Sequence, residues 1–335
     1  MHGISRAARV GAVPAVMTAA FACALTATGG IATAADTGPR RPPTWCKPGG
    51  TLSIRAMPQK IRIAQCDLRG RTVRGADGLT AVVPTDGSSL VAHALRTGGS
   101  AALSVRVNRV AGEIILSSRG AHVPQGRPRA AQAPLNPCQD GTYSLEPSKW
   151  ATGSAVPWRY HPGTTGLPSS VIAEGVANMV NGATDCTSRR RFTPPPNVGG
   201  RYVGQSATGP NVTDTATCAQ RDRVNTFGWR SMTGANGNIL AATCIWYSGS
   251  RTLESDMALQ QHGKRWWTGG TCRPGSFSVE AVATHEAGHV FGLAHVAGSR
   301  HSDLTMAPSV AACDNGPATL GRGDHAGLIA LYGGR

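Results

Sequence analysis

The chain has 335 residues, of which 40% are hydrophobic and 15% charged, and its formal net charge at pH 7 is +15. This composition excludes a low-complexity or largely disordered protein, and the length allows one or two domains. The charge is uneven, because residues 35–137 carry 15 Lys and Arg against 5 Asp and Glu, whereas residues 138–335 carry 16 against 13.

The first 34 residues have the pattern of a signal peptide. Arg6 and Arg9 precede an apolar, alanine-rich stretch that ends in the small-x-small sequence Ala32-Thr33-Ala34. The stretch is short and is interrupted by Pro14, which argues against a membrane anchor. No later segment reaches the roughly 20 apolar residues that a spanning helix needs. We therefore expect a secreted, extracellular protein without a membrane span.

Eight cysteines follow the predicted signal peptide: Cys46, Cys66, Cys138, Cys186, Cys218, Cys244, Cys272 and Cys313. An even number in an exported chain predicts up to four disulfides. We expect pairing within each half of the chain, which joins Cys46 to Cys66 and leaves the partners of the other six open.

Residues 35–118 are predicted to form a small β-rich basic domain or a propeptide. The segments TLSIRAM, KIRIAQC, LTAVV, AALSVRV and GEIILSS have the length and apolar pattern of strands. In one of them Leu103, Val105 and Val107 share a face and Arg106 points away. The positive charge could dock on an anionic cell-surface polymer, pair with the rest of the chain, or form a soluble surface.

Residues 119–137 are rich in Pro, Ala and Arg and are predicted to be an exposed linker that a protease could cut. Behind it, residues 138–335 form the second predicted domain. Apolar residues at helical spacing predict a first helix from about Ser169, and residues 238–249 read as a strand. A second helix is expected from Val279 to about Phe291, capped by Ser278, and a short third helix before Gly333.

The stretch HEAGHVFGLAH, from His285 to His295, carries the chemistry. On a helix, His285 and His289 project from one face and can bind one metal ion. A left-handed Gly292 would end the helix and bring His295 in as a third ligand. Three imidazoles with a fourth position open to water are typical of catalytic zinc. Glu286 lies beside the first ligand, where it can act as general base.

This segment resembles the signature of the metzincins, which is HExxHxxGxxH followed by a methionine turn. The resemblance implies that Met306, in LTMAP, forms the apolar floor beneath the zinc. Metzincins with a further tyrosine ligand place it two residues after this methionine. Here that position is Pro308, so the chain is similar to the matrixin-like branch.

The matrixin-like resemblance covers about residues 150–335. It implies an α/β (α+β) zincin catalytic domain with a mixed twisted sheet and three main helices, preceded by the small, mostly β domain. NILAATCIWYSG resembles the edge strand that flanks the substrate and would bind an extended peptide through backbone hydrogen bonds. The expected partner is therefore a protein or peptide substrate.

The sequence also departs from the matrixin pattern. Val296 replaces the usual Ser or Thr after the third ligand, and no HxD cluster is present, so one catalytic zinc is expected without support for calcium or a second zinc. The nearest approach to the zymogen motif PRCGxPD is PTWCKP around Cys46, which leaves two alternatives, a zinc-blocking thiol or a disulfide with Cys66. Four other histidines are expected to be surface or structural residues: His161, His262, His301 and His325.

The sequence thus predicts a secreted zinc-dependent endopeptidase, monomeric and without a nucleic-acid partner. Its Arg, Ala and Gly content with four lysines is typical of a GC-rich bacterium. One alternative is an exported zinc-binding adhesion protein without turnover, which docks through its basic front half. Another is that the front half is a propeptide, released by cleavage near residues 119–137 and inhibitory when added back.

Overall fold

The computed structural model describes residues 42–122, 133–234 and 238–335. The predicted signal peptide, residues 1–34, lies outside these ranges, as do residues 123–132 of the predicted linker. Residues 41–335 belong to one compact unit. Within the described ranges, no helix combines the length and the apolar character that crossing a bilayer requires.

The front half of the described chain contains seven strands. They are β1 (Leu52–Ser53), β2 (Lys60–Arg62), β3 (Thr72–Arg74), β4 (Thr80–Val82), β5 (Ser89–Arg96), β6 (Gly99–Asn108) and β7 (Glu113–His122). In β6, Leu103 and Val105 are buried and Arg106 is exposed, as their alternation predicts. TLSIRAM forms only a two-residue strand followed by a 3-10 turn, and β5 was not predicted.

The back half contains nine strands and three helices. They are β8 (Ser144–Leu145), β9 (Ala155–His161), α1 (Ser170–Asn181), β10 (Gly199–Gln205), β11 (Thr226–Arg230), β12 (Ile239–Ser248), β13 (Arg251–Gln260), β14 (Arg265–Trp267), β15 (Ser276–Ser278), α2 (Val279–Val290), β16 (Leu293–Ala294) and α3 (Arg322–Tyr332). The three predicted helices and the mixed α/β class are confirmed.

Nine strands from both halves form one mixed sheet in the order β10-β9-β11-β13-β12-β5-β6-β7-β2. The first four are parallel to one another, and the pairings from β13 onward are antiparallel. The strand that was expected at an edge, β12, is therefore flanked on both sides.

The strand β7 runs to His122 and so overlaps the predicted start of the linker by four residues.

Two apolar cores lie on opposite sides of this sheet at β12. Leu240 and Ala241 belong to the core that includes α1 and α2, whereas Cys244 and Trp246 belong to the core of the front half. The helices α1 and α2 approach closely at Gly175, where an added Cβ would lie 2.6 Å from the Cβ of Ala283. A glycine is thus needed for α2, which carries the site, to pack against α1.

Four disulfides are present: Cys46–Cys66, Cys138–Cys186, Cys218–Cys244 and Cys272–Cys313. The predicted pairing within each half, including Cys46 with Cys66, is confirmed. Of the two alternatives for Cys46, the structure has the disulfide, so this sulfur is not a free thiol facing a metal. None of these bonds joins residues 42–122 to residues 133–335, and the two halves are associated only through noncovalent contacts in the part described.

Candidate metal and active site

Helix α2 begins and ends as its sequence predicts. The Ser278 hydroxyl accepts a 3.0 Å hydrogen bond from the N–H of Ala281, which satisfies an otherwise free donor in the first turn. At the other end Gly292 has φ = +93°, and an added Cβ would lie 2.9 Å from a methyl carbon of Leu331. Backbone conformation and space both favour glycine here, and the chain turns back into β16 directly before His295.

Three imidazoles converge at this end of α2. Nε2 of His295 lies 3.1 Å from Nε2 of His285 and 3.1 Å from Nε2 of His289. The Nδ1–H of His285 donates to the Thr305 carbonyl at 2.7 Å, and that of His289 donates to the Leu293 carbonyl at 2.8 Å. A carbonyl can only accept, so the proton of both rings is on Nδ1 and each Nε2 presents a lone pair.

The convergence of these lone pairs fits a metal ion. Neighbouring lone pairs repel one another unless a cation lies between them. Tetrahedral zinc with Zn–N bonds of about 2.0–2.1 Å needs nitrogen atoms about 3.3 Å apart, close to the two spacings measured from Nε2 of His295. Burial lowers the pKa of His285 to about 4 and the pKa of His289 and His295 well below its ordinary value, which keeps the rings in the neutral form that binds metals.

Glu286 is buried beside His285 and has one carboxylate oxygen free. Its Oε2 accepts a 2.6 Å hydrogen bond from the Thr243 hydroxyl, whereas its Oε1 has no hydrogen-bond partner among the described residues. Burial raises the pKa of Glu286 to about 7, against the opposing effect of the Thr243 hydroxyl. A fixed carboxylate with one unpaired oxygen is able to accept a proton from a molecule held at the histidines.

The methionine turn is fixed from behind by a buried aspartate. The carboxylate of Asp324 accepts hydrogen bonds from the N–H groups of Thr305 (2.9 Å) and Met306 (3.1 Å). The carbonyl of the same Thr305 holds the ring of His285. Met306 is buried against α2, since a Cβ added at Gly288 would overlap its sulfur at 2.1 Å. The sequence predicted Met306 beneath the site but gave no role to Asp324.

A fourth imidazole, His93, enters the site from β5. One ring nitrogen of each of His93, His289 and His295 lies within 4.8 Å of the other two, a set that could hold a metal ion. The front half also contacts the cluster through Ser100, whose hydroxyl oxygen lies 3.2 Å from Nδ1 of His295. Neither His93 nor Ser100 was predicted from the sequence. The one feature that pointed to His93 was its position as a lone histidine in the apolar segment SLVAHALR.

Three of the remaining histidines have polar partners away from this cluster. These contacts join His161 Nδ1 to the Ser206 carbonyl, His301 Nδ1 to Asp140 Oδ2, and His325 Nε2 to the Pro194 carbonyl. Their positions agree with the structural roles expected for them.

The matrixin family model matches residues 229–333, which include β12, β13, α2, the methionine turn and α3. Over this part of its length the chain resembles the matrixin-like metzincins. No curated protein matches the sequence. The family match confirms the predicted resemblance and supports a zinc-dependent metallopeptidase.

Proposed function

We propose that this metzincin is a secreted endopeptidase that hydrolyses peptide bonds in proteins. His285, His289 and His295 would hold one zinc ion, and Glu286 would act as general base. The observation that carries the proposal is the convergence of three Nε2 atoms, with Nδ1 of His285 and His289 bound to carbonyl oxygens, beside a carboxylate with one free oxygen. Four disulfides are consistent with an exported protein.

The proposed mechanism divides the work between the ion and the protein. Zinc, when bound, supplies Lewis-acid chemistry that makes a water more acidic and polarises a carbonyl group. Oε1 of Glu286 takes the proton of the attacking water and delivers it to the leaving amine. Thr243 holds the other oxygen, so the carboxylate keeps one orientation in both proton transfers. Met306 supplies an apolar wall.

The substrate would bind along β12. An extended peptide can add to an exposed strand edge through backbone hydrogen bonds, and the side of β12 opposite β13 passes the site at Thr243. In the intact chain β5 is paired there. Substrate binding at this edge therefore requires that β5 leave, and we propose that cleavage near residues 119–137 permits it. The front half would then be a propeptide, since no disulfide among the described residues retains it.

The test uses the full chain with a specific protease site in place of residues 123–132, so that it can be cut after folding. We expect the cut, zinc-loaded protein to hydrolyse an unfolded protein and to lose this activity with a zinc chelator. Glu286→Ala should keep its zinc and lose about 10²- to 10⁴-fold in rate, the usual contribution of a general base.

The matched control is Glu174→Ala, which removes an exposed carboxylate from α1 and should leave the rate unchanged. Full activity of Glu286→Ala would contradict the general-base assignment. A cut wild-type protein with bound zinc and no hydrolysis would instead favour the adhesion alternative, for which the described structure offers no specific support. Docking of the basic front half on an anionic polymer stays a separate prediction from its charge.

A further inference from the structure

Glu146 is a buried carboxylate beside the proposed metal-binding histidines, and the proposed mechanism does not use it. It directly follows β8, and its N–H donates a 2.9 Å hydrogen bond to the carbonyl of Gly292, where the chain turns back toward His295. Its side chain is 4% exposed, and its Oε1 has no hydrogen-bond partner among the described residues. Buried charged acceptors in folded proteins are normally paired, so an unpaired one points to a binding or catalytic role or to an ordered water.

The proposed ligand that lies nearest to Glu146 does not depend on this carboxylate. Oε1 of Glu146 lies 3.9 Å from Nδ1 of His289. The proton of that nitrogen, however, is donated to the Leu293 carbonyl at 2.8 Å. The carbonyl already fixes the tautomer and the orientation of the ring. Glu146 therefore adds a negative charge beside the site and has an oxygen free for another partner.

In the uncut chain the imidazole of His93 occupies the space in front of this carboxylate. Nε2 of His93 lies 2.8 Å from Oε1 of Glu146, but the two groups are not aligned as a hydrogen bond. The ring is stacked on His289, with centroids 3.8 Å apart and 7° between the planes. An ion in the plane of the His289 ring is therefore well outside the plane of the His93 ring. Nearness to the cluster thus does not make His93 a ligand of that ion, and Glu146 is the group that it faces.

The strand pairing indicates which part of a substrate takes this place when β5 leaves. The strands β5 and β12 are antiparallel, with His93 directly opposite Thr243. A peptide that pairs with β12 in the same direction has a residue at this register, and its side chain lies on the same face of the sheet as that of Thr243. Because the Thr243 hydroxyl binds Glu286, this substrate residue is close to the scissile bond. Its side chain enters the space in front of Glu146.

This space belongs to a cleft of about 790 Å³ whose lining has a definite chemistry. Of the residues in 133–335 that line it, Glu146 alone is acidic and none is lysine or arginine. The basic residue Arg119 also lines the cleft, but it belongs to the front half. Leu145 and Pro147, on either side of Glu146, are exposed and apolar. An apolar surface beside a carboxylate suits a lysine or arginine side chain, whose methylene groups pack while its charge is paired.

We propose that Glu146 is a specificity-determining residue of the cut enzyme and selects a lysine or arginine side chain next to the scissile bond. The inference rests on the proposed peptidase function and names the substrate class of that site. The free carboxylate oxygen forms a charge-assisted hydrogen bond with a cationic side chain, whereas a neutral side chain leaves it without a charged partner and an acidic one is repelled. Glu286 remains the general base, so Glu146 acts on the choice of substrate and not on the proton transfers.

The experiment compares peptide substrates with the cut, zinc-loaded protein. A mixture of peptides with all residue types around each bond is digested, and mass spectrometry of the products gives the residue preferred at each position. Two synthetic peptides then differ only at the position with the strongest preference for lysine or arginine. One has arginine there, and the other has citrulline, which has nearly the same shape and no charge. Both are tested with wild type, with Glu146→Gln and with the control Glu174→Gln, which changes an exposed carboxylate in α1.

We expect wild type and Glu174→Gln to prefer the arginine peptide over the citrulline peptide by about 10- to 100-fold in kcat/KM, the usual effect of one hydrogen bond to a charged group. Glu146→Gln keeps the size of the side chain and removes its charge. In this variant the preference should disappear, chiefly because the arginine peptide is cleaved more slowly. A merely structural role of Glu146 would lower both rates together and leave their ratio unchanged.

Two results would overturn the assignment of Glu146 and leave the peptidase proposal intact. One is cleavage without a preference for lysine or arginine at any fixed position, and the other is an equal preference in Glu146→Gln and wild type. Absence of cleavage by the cut, zinc-loaded wild type would overturn both proposals. Glu146→Asp is a second variant, which keeps the charge and should keep part of the preference. Thermal unfolding and zinc content confirm that each variant is folded and loaded.

Discussion

The hydroxyl of Thr243 donates a 2.6 Å hydrogen bond to Oε2 of Glu286. This bond joins the central sheet to the helix that carries two of the proposed metal-binding histidines, since Thr243 lies in β12 and Glu286 in α2. It is the one hydrogen bond that the carboxylate has in the described structure. The direction of the free oxygen therefore depends on a strand that is also the proposed site of substrate binding.

We expect Thr243→Val to reduce the activity of the cut enzyme without removing its zinc. The change keeps the shape of the side chain and removes the hydroxyl, so Glu286 loses its orienting donor. A hydrogen bond to a charged group contributes about 1.5–3 kcal/mol, which corresponds to about a 10- to 100-fold fall in kcat/KM. Zinc content and kcat/KM are measured together, with Thr243→Ser as the control that keeps the hydroxyl. An unchanged kcat/KM in Thr243→Val would show that the bond does not position the base.

We expect Asp324→Asn to weaken both the fold and zinc binding. The carboxylate accepts hydrogen bonds from the backbone N–H groups of Thr305, Met306 and Gly321. In asparagine an NH₂ group replaces one carboxylate oxygen, and this group cannot accept a hydrogen bond from a backbone N–H. Leaving such buried groups unpaired costs about 1–3 kcal/mol of unfolding free energy. Because the Thr305 carbonyl holds His285, zinc affinity should fall as well.

Urea unfolding and competition with a chelator measure the two effects of Asp324→Asn. The control is Asp303→Asn, the same change at an exposed carboxylate near the methionine turn. Equal unfolding midpoints for Asp324→Asn and wild type would remove the proposed role of this carboxylate as the support of the turn.

A pH dependence of stability is expected from Glu254, a buried residue of β13. Its carboxylate accepts N–H groups from Asp222 (3.0 Å) and Arg223 (2.5 Å), yet burial raises its pKa to about 7 from an ordinary value of 4.5. Between these values the folded state binds more protons than the unfolded state. The stability from this residue is thus fully present below about pH 4.5 and is lost as pH rises through 7.

This loss amounts to at most about 3.4 kcal/mol, for a shift of about 2.5 pKa units at 1.36 kcal/mol per unit. Urea unfolding of the metal-free protein at pH 4.5, 6 and 7.5 measures it as the difference between wild type and Glu254→Gln. The variant should lose less stability with rising pH than the wild type, and Glu174→Gln provides the exposed control. Parallel curves for Glu254→Gln and wild type would show that another group governs the slope.

The convergence of the three motif histidines could be predicted because its geometry is local. His285 and His289 are one helical turn apart, and a single glycine reverses the chain before His295, so the arrangement of these three proposed ligands depends on eleven consecutive residues. The helices followed from apolar spacing and, for α2, from the Ser278 cap. These features are determined by neighbours in sequence, and the structure has them at the predicted places.

His93 could not be predicted, because its position depends on the pairing of strands about 150 residues apart. In β5 the first seven residues are all buried, since cores cover both faces, and the strand therefore lacks the alternation that marked β6. The expectation that β12 lies at an edge came from its resemblance to the substrate-flanking strand of the matrixins, and the pairing with β5 was not foreseen. Neither strand has a local sequence feature that identifies its partner. The register of β5 with β12, which places His93 opposite Thr243, therefore could not be read from either segment alone.

The nine-stranded sheet also affects the tendency of the folded chain to aggregate. Nine of the ten residues of β12 are buried, and several are large and apolar. A strand of this kind with an open edge pairs readily with other chains and promotes aggregation. By pairing with β5, the front half covers this edge with hydrogen bonds and leaves the shorter β2 and β10 at the margins. The same strand pairing that is proposed to silence the enzyme thus protects the newly folded chain from self-association.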